Sequence, residues 1–133
     1  LQAHAARRGV GNSVRFVGWQ EKPAAWFGKA HMLLHTGAYE GYGRILVEAS
    51  LAHLPVVTTD VGIANEVFSM GQDMFICPVD DVKCLSEGVK RLMNDVYLRE
   101  TMPRSAYDKA AAHIGKYKNY AHLIAEDLKR AIV

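Results

Sequence analysis

The sequence predicts an α/β domain, a Rossmann-like parallel sheet with helices on both faces and a helical C-terminal tail. Two observations carry that prediction. Short apolar runs rich in β-branched residues alternate with longer amphipathic stretches as far as Cys77, and after Pro78 apolar residues recur at helical spacing. A glycine-bearing turn, Glu40 to Gly43, falls where the second run gives way to a helix, the place where open α/β sheets bind ligands.

In order, Leu1 to Arg8 reads as the tail of a helix that ends at Gly9. Val14–Val17, Met32–His35, Val56–Thr59 and Phe75–Cys77 read as short buried strands. Pro23–Lys29, Arg44–Ala52 and Asn65–Met70 separate them as helices, which gives βαβαβαβ with short connections. Asp80 and Asp81 are placed to start a helix whose apolar stripe is Val82, Leu85, Val89, Leu92 and Met93. Tyr107, Ala110, Ala111 and Ile114 repeat the stripe, Gly115 interrupts it, and Tyr120, Leu123, Ile124 and Leu128 resume it. The 133 residues, half of them hydrophobic, suffice for one core, so the chain is expected to be a single unit, with an α/β core over 1–95 and C-terminal helices over 96–133. Beginning at Leu1 inside a helix, it is expected to be an N-terminally truncated piece of something longer.

Composition narrows the function classes. Sixteen basic and 14 acidic residues leave a net charge of +2 without any block that would track a nucleic acid or an anionic membrane. No apolar run approaches the roughly 20 residues that span a bilayer. Cys77 and Cys84 are too few and wrongly spaced for a zinc cluster or a disulfide scaffold, and with no secretory signal a reducing cytoplasm is the expected location. The six histidines have no cysteine or carboxylate cluster beside them, so no metal is expected.

The loop from Thr36 to Gly43 leads into a helix whose first N–H groups have no acceptor within it, a setting that welcomes an anion. Gly41 and Gly43, bracketing Tyr42, allow the backbone to approach a ligand closely, as a diphosphate or sugar cradle requires. Glu48 lies within the helix among Ile45, Leu46, Val47 and Ala49 and needs a partner there. A ribose diol offers two hydroxyl donors; the competing assignment is an i,i+4 ion pair with Arg44, worth roughly 0.2–0.5 kcal/mol.

The segment EGYGRILVE, Glu40 to Glu48, resembles the glutamate, seven residues, glutamate motif of retaining glycosyltransferases with the GT-B fold, especially the GT4 family. RFVGW resembles that family's strand and nucleobase loop, LPVVTTDVG its next strand and glycine turn, and FICPVD the strand and turn before the helical tail. Glu66 also sits where the family often keeps a glutamate. The resemblance covers most of Val14 to Met102 in the family's order. It implies the partial C-terminal domain of a GT-B fold, binding a nucleotide sugar as substrate, with no cofactor and no metal. Glu40 would hold the donor sugar near the reacting carbon as the catalytic residue. Gly41, Tyr42, Gly43, Arg44 and Ile45 would line sugar and diphosphate, Glu48 would take the ribose, and Gly18, Trp19 and Gln20 would border the nucleobase, the competing assignment for Trp19 being to cover the sheet edge. The acceptor, a sugar, lipid or glycoconjugate in polysaccharide or glycoconjugate synthesis, would be bound by a missing N-terminal domain. Any peripheral membrane association would come through absent regions. The fragment alone is therefore expected to transfer no sugar.

The chain departs from the family pattern at four places. Thr36-Gly37 stands for the usual Pro-Ser, and His31 for an aspartate. His53 replaces a glycine at a helix end that calls for positive φ, and Ile63 replaces the second glycine of a Gly-Gly turn. His35, at the carboxyl end of its strand, either approaches the donor or, the favoured assignment, packs under the loop. Two other classes compete: a nucleotide-sugar epimerase of related fold, against which the extended EGYGRILVE match counts, and a non-catalytic nucleotide-sugar-binding module. A glycosidase pair would stand roughly 5–9.5 Å apart across a bond, less than the roughly 12 Å that eight helical residues span.

Overall fold

The computed structural model describes the backbone of residues 1–21 and 23–131, and side chains up to residue 116 apart from 22 and 24. Three parallel strands form the sheet in the order β1 (Leu33–His35), β2 (Val56–Thr59), β3 (Phe75–Cys77). Between them lie α2 (Arg44–Leu51) and α3 (Ala64–Val67); α1 (Gln2–Arg7) precedes them, and α4 (Val82–Asn94) and α5 (Val96–Ala131) follow.

Alternation along β2 sets the two faces. Val56 joins a core made by Leu46, Val47 and Ala49 of α2, Phe27, Ile63, Phe68, Met74, Ile76, and Ala106 and Ala110 of α5. Val57 points the other way, into Phe75, Leu85, Leu92 and Met102. All four β2 residues are buried, as befits a central strand covered on both faces. Leu46 is fully buried, a burial worth about 1.5–3 kcal/mol, and it fixes α2 against the sheet. Gly88 lets α4 approach the other face closely, since a Cβ there would stand 3.1 Å from both Phe75 Cβ and Val57 Cγ1.

The predicted strand Val14–Val17 is not a strand. It follows a 3₁₀ turn at Gly11–Ser13 and runs without a ladder partner, its three apolar side chains exposed. Extended sequence preference alone supplies no hydrogen-bonding neighbour, and β1 is the sheet edge among the described residues. Pro23–Lys29 is helical but 3₁₀, anchored by buried Phe27, and the Asn65–Met70 helix shortens to α3. α5 runs through Gly115 instead of breaking there, and the side chains of Tyr120, Leu123, Ile124 and Leu128 lie outside the described residues.

Asp81 caps α4, accepting from Cys84 N–H at 2.9 Å, while Asp80 turns the chain with φ 66. That tight turn brings Cys84 back to the end of β3, and Cys77 and Cys84 are joined as a disulfide, with Cα atoms 5.7 Å apart. Too few cysteines for a scaffold thus still make one local staple. Buried Asp73 is a further structural polar group: it accepts from Ser69 N–H at 2.8 Å and from the Ser105 hydroxyl, tying α5 to the turn before β3. No helix among the described residues is long and apolar enough to cross a membrane.

Candidate active site

The loop of residues 36–43 leaves the carboxyl end of β1 and enters α2 through Gly43, whose φ of 79 belongs to the left-handed region that glycine adopts freely. α2 therefore opens toward the same end of the sheet as the loop, presenting its first-turn N–H groups there. Several contacts hold the loop. Thr59, at the end of β2, donates its hydroxyl to Gly37 O at 2.6 Å. Ile63 N–H donates to Tyr42 O at 3.0 Å, and the Tyr42 hydroxyl meets His113 Nε2 of α5 at 2.9 Å.

Gly62 presses on the same loop from below. A Cβ there would lie 2.5 Å from Tyr42 O and 2.9 Å from Gly43 N. The glycine turn after β2 thus braces the cradle, and Ile63, the departure from Gly-Gly, supplies the bracing N–H and a buried side chain.

Glu40 and Glu48 have different surroundings. The Glu40 side chain is 39% exposed and one of its oxygens lies 3.2 Å from His35 Nε2. The other imidazole nitrogen, Nδ1, is 3.2 Å from Thr58 Oγ1. His35 and Thr58 are register partners on neighbouring strands, so their side chains leave the same face side by side. His35 therefore does lie under the loop, but as a polar link between β2 and Glu40. Glu48 accepts from Arg44 Nε at 2.5 Å, the i,i+4 pair. The Arg44 side chain is 85% exposed, so the pair is screened and weak, and a ligand can displace it at little cost.

Gly18, φ 64, turns the loop that carries Trp19 and Gln20. Gln20 uses both ends of its amide locally: it donates to Val17 O at 2.7 Å and accepts from Trp26 Nε1 at 3.1 Å. Trp19 is 92% exposed and covers no sheet edge, an unusual position for so large an apolar ring. Glu66 is exposed at the start of α3, beside a shallow hollow shared with Lys109, His113 and Lys116 of α5. A larger groove of about 550 Å³ opens at the carboxyl ends of the strands on the α4 face, between Leu34, Thr36, Thr59, Asp80 and Met93. It adjoins the loop but contains neither glutamate. The apolar exposure of β1 at Leu34 belongs to this groove.

Sequence reasoning missed Thr58, Thr59 and the bracing role of Gly62. The two threonines end a strand in which every residue is buried, and that placement is the only signal they carry in the sequence.

Several known proteins resemble the chain. The lipopolysaccharide core biosynthesis mannosyltransferase LpsB of Rhizobium meliloti is 28% identical over 123 residues, 91% of this chain and 33% of LpsB. The capsular polysaccharide biosynthesis glycosyltransferase CapM of Staphylococcus aureus is 31% identical over 80 residues, 60% of this chain and 21% of CapM. The chain thus spans a third or less of the length of these relatives. Anabaena Alr3699/HepE, solved in complex with UDP, superposes with a TM-score of 0.84 at 23% identity, covering 93% of this chain and 35% of that one. The C-terminal domain of LpcC from Francisella tularensis superposes with a TM-score of 0.72 at 16% identity, covering 84% of this chain and 58% of that one. These two structures share the fold. A model of the family described as Glycosyl transferases group 1 matches residues 1–109, and with that match the chain belongs to the group 1 glycosyltransferases.

Proposed function

We propose that this chain is the part of a retaining, GT4-type glycosyltransferase that binds the nucleotide sugar. The observation that supports the reading is that Glu40 stands on the loop after β1 and Glu48 on α2, joined by the glycine-bearing opening of that helix. Glu40 holds the sugar, and Gly41 to Ile45 line sugar and diphosphate. Negative charge grows on the departing diphosphate, and the N–H dipoles at the start of α2 are preorganised to meet it. Glu48 takes the ribose hydroxyls, and the Arg44 pairing it gives up is worth only about 0.2–0.5 kcal/mol. Trp19, already fully presented to solvent, borders the base with Gly18 and Gln20. HepE was solved with UDP-glucose, and a nucleotide sugar of that kind is the substrate class proposed for this chain. The acceptor is held by a further domain of a longer protein acting in polysaccharide or glycoconjugate synthesis.

The two glutamates give separable results. In a protein containing this domain, Glu40→Gln is expected to lower kcat by roughly 100-fold with little change in nucleotide affinity, since it acts near the reacting carbon. Glu48→Gln is expected to raise the Kd for the nucleotide sugar about 10-fold, one charge-assisted hydrogen bond, with a smaller effect on kcat. Calorimetric binding of UDP-, GDP- and ADP-sugars together with product analysis checks both. Binding without transfer by the unaltered protein would identify a non-catalytic module, and equal, negligible effects of the two substitutions would return both residues to a structural role.

A further inference from the structure

We propose that His35 is a positioning residue for Glu40, and that residue 37 is glycine in order to admit the imidazole that does the positioning. The proposal rests on the reading of Glu40 as the residue that meets the sugar.

Glu40 stands in a loop whose backbone is tied down at Gly37 and Tyr42, yet its side chain has three free torsions. Among the described residues the recorded partner of its carboxylate is His35 Nε2. A carboxylate only accepts, so Nε2 carries the proton in that contact. The opposite nitrogen lies 3.2 Å from Oγ1 of fully buried Thr58, a hydroxyl that itself donates to Thr59 O at 2.9 Å, and this anchored oxygen holds the plane of the ring. His35 itself is only 13% exposed at its side chain, so the chain of contacts runs from the central strand through a nearly buried ring to a half-exposed carboxylate. Such a partly exposed contact adds little to stability. What it supplies is orientation of a group that has to be in place before the substrate arrives.

Gly37 gives the independent observation. Its φ lies outside the positive range, so the backbone there does not call for glycine. The imidazole does. A Cβ on residue 37 would stand 2.9 Å from His35 Cε1 and 3.2 Å from Nε2, and 3.7 Å from Glu40 Cγ. The space that a side chain at 37 would fill is occupied by the ring at the point where it reaches Glu40. A larger residue at 37 has an easy outlet, because the atoms it meets are the far end of a side chain: the ring swings aside, and the contact with Glu40 goes with it. His35 and Gly37 are thus one device.

Steady-state kinetics of the full-length protein test this. His35→Leu is expected to lower kcat roughly 10- to 100-fold while the KM for the nucleotide sugar changes less than about threefold. His35→Gln, which keeps an N–H donor, restores most of the rate. Gly37→Ser reproduces the loss in the natural background but adds nothing in His35→Leu, because the ring it displaces is gone. Equal losses from Gly37→Ser in both backgrounds, or His35→Leu and His35→Gln behaving alike, would overturn the proposal. The imidazole nitrogen and carbon NMR resonances of His35 supply a readout apart from turnover. They should move in Glu40→Gln and in Gly37→Ser while the amide spectrum elsewhere stays put, and unmoved resonances would also sink the idea. If instead Glu40→Gln leaves transfer intact while those resonances do move, the linkage stands and the assignment of Glu40 is the part that fails.

Discussion

Gly62→Ala should destabilise the chain by about 3 kcal/mol and weaken nucleotide-sugar binding at least 10-fold. Two costs combine. At φ 56 an L-residue pays about 1–2 kcal/mol for the left-handed conformation. The added methyl would then stand 2.5 Å from Tyr42 O and 2.6 Å from Tyr42 C, backbone atoms with no flexible end to give way, and such overpacking adds about 1–3 kcal/mol. Relief means lifting the peptide between Tyr42 and Gly43, which breaks the Ile63 N–H contact and moves the start of α2. Gly71→Ala is the control: φ is 77, but an added Cβ meets nothing within 4 Å, so only the conformational cost of about 1–2 kcal/mol remains. Urea unfolding of both variants, with calorimetric binding of the nucleotide sugar, separates the terms. Equal destabilisation by the two would show that Gly62 braces nothing.

Gly88→Leu is expected to cost about 3 kcal/mol and to lower Tm by roughly 10 °C. Helix propensity alone argues the other way, since glycine inside a helix costs about 1 kcal/mol relative to alanine. Packing decides the sign. The methyl of alanine would already stand 3.1 Å from Val57 and Phe75, so Gly88→Ala should come out near balance. Leucine adds branched carbon where the face of the sheet has no room, and α4 must lift from β2 and β3. Thermal melts of the two variants check this. A leucine variant as stable as the alanine one would mean that α4 can shift freely on the sheet.

The α/β architecture was legible because burial follows periodicity: Val56–Thr59 and Phe75–Cys77 are uninterrupted apolar or β-branched runs, and both are buried strands. Val14–Val17 has the same local character without being a strand, because pairing is a relation between segments and composition describes only one of them. The helix end at His53 could be read from the residues after it. Its φ is 53 as the position demands, and stacking on Tyr107, with centroids 4.4 Å apart, accompanies the strained backbone. The glutamates announced themselves through their spacing and glycine neighbours. Their supports did not. Thr58 and Thr59 look like ordinary strand residues, and Gly37 looks like drift in a loop until the ring of His35 is seen against it.

The in-register alignment of β1 with β2 has a consequence beyond cohesion of the sheet. His35 faces Thr58 because Leu34 faces Val57. Sliding β2 by a single residue would bring Val57 or Thr59 beside the imidazole, depending on the direction, and send the Thr58 hydroxyl to the opposite face. The alignment that seals two hydrophobic layers also decides which hydroxyl the imidazole meets, so folding to the correct register and assembling the Glu40 support are one event.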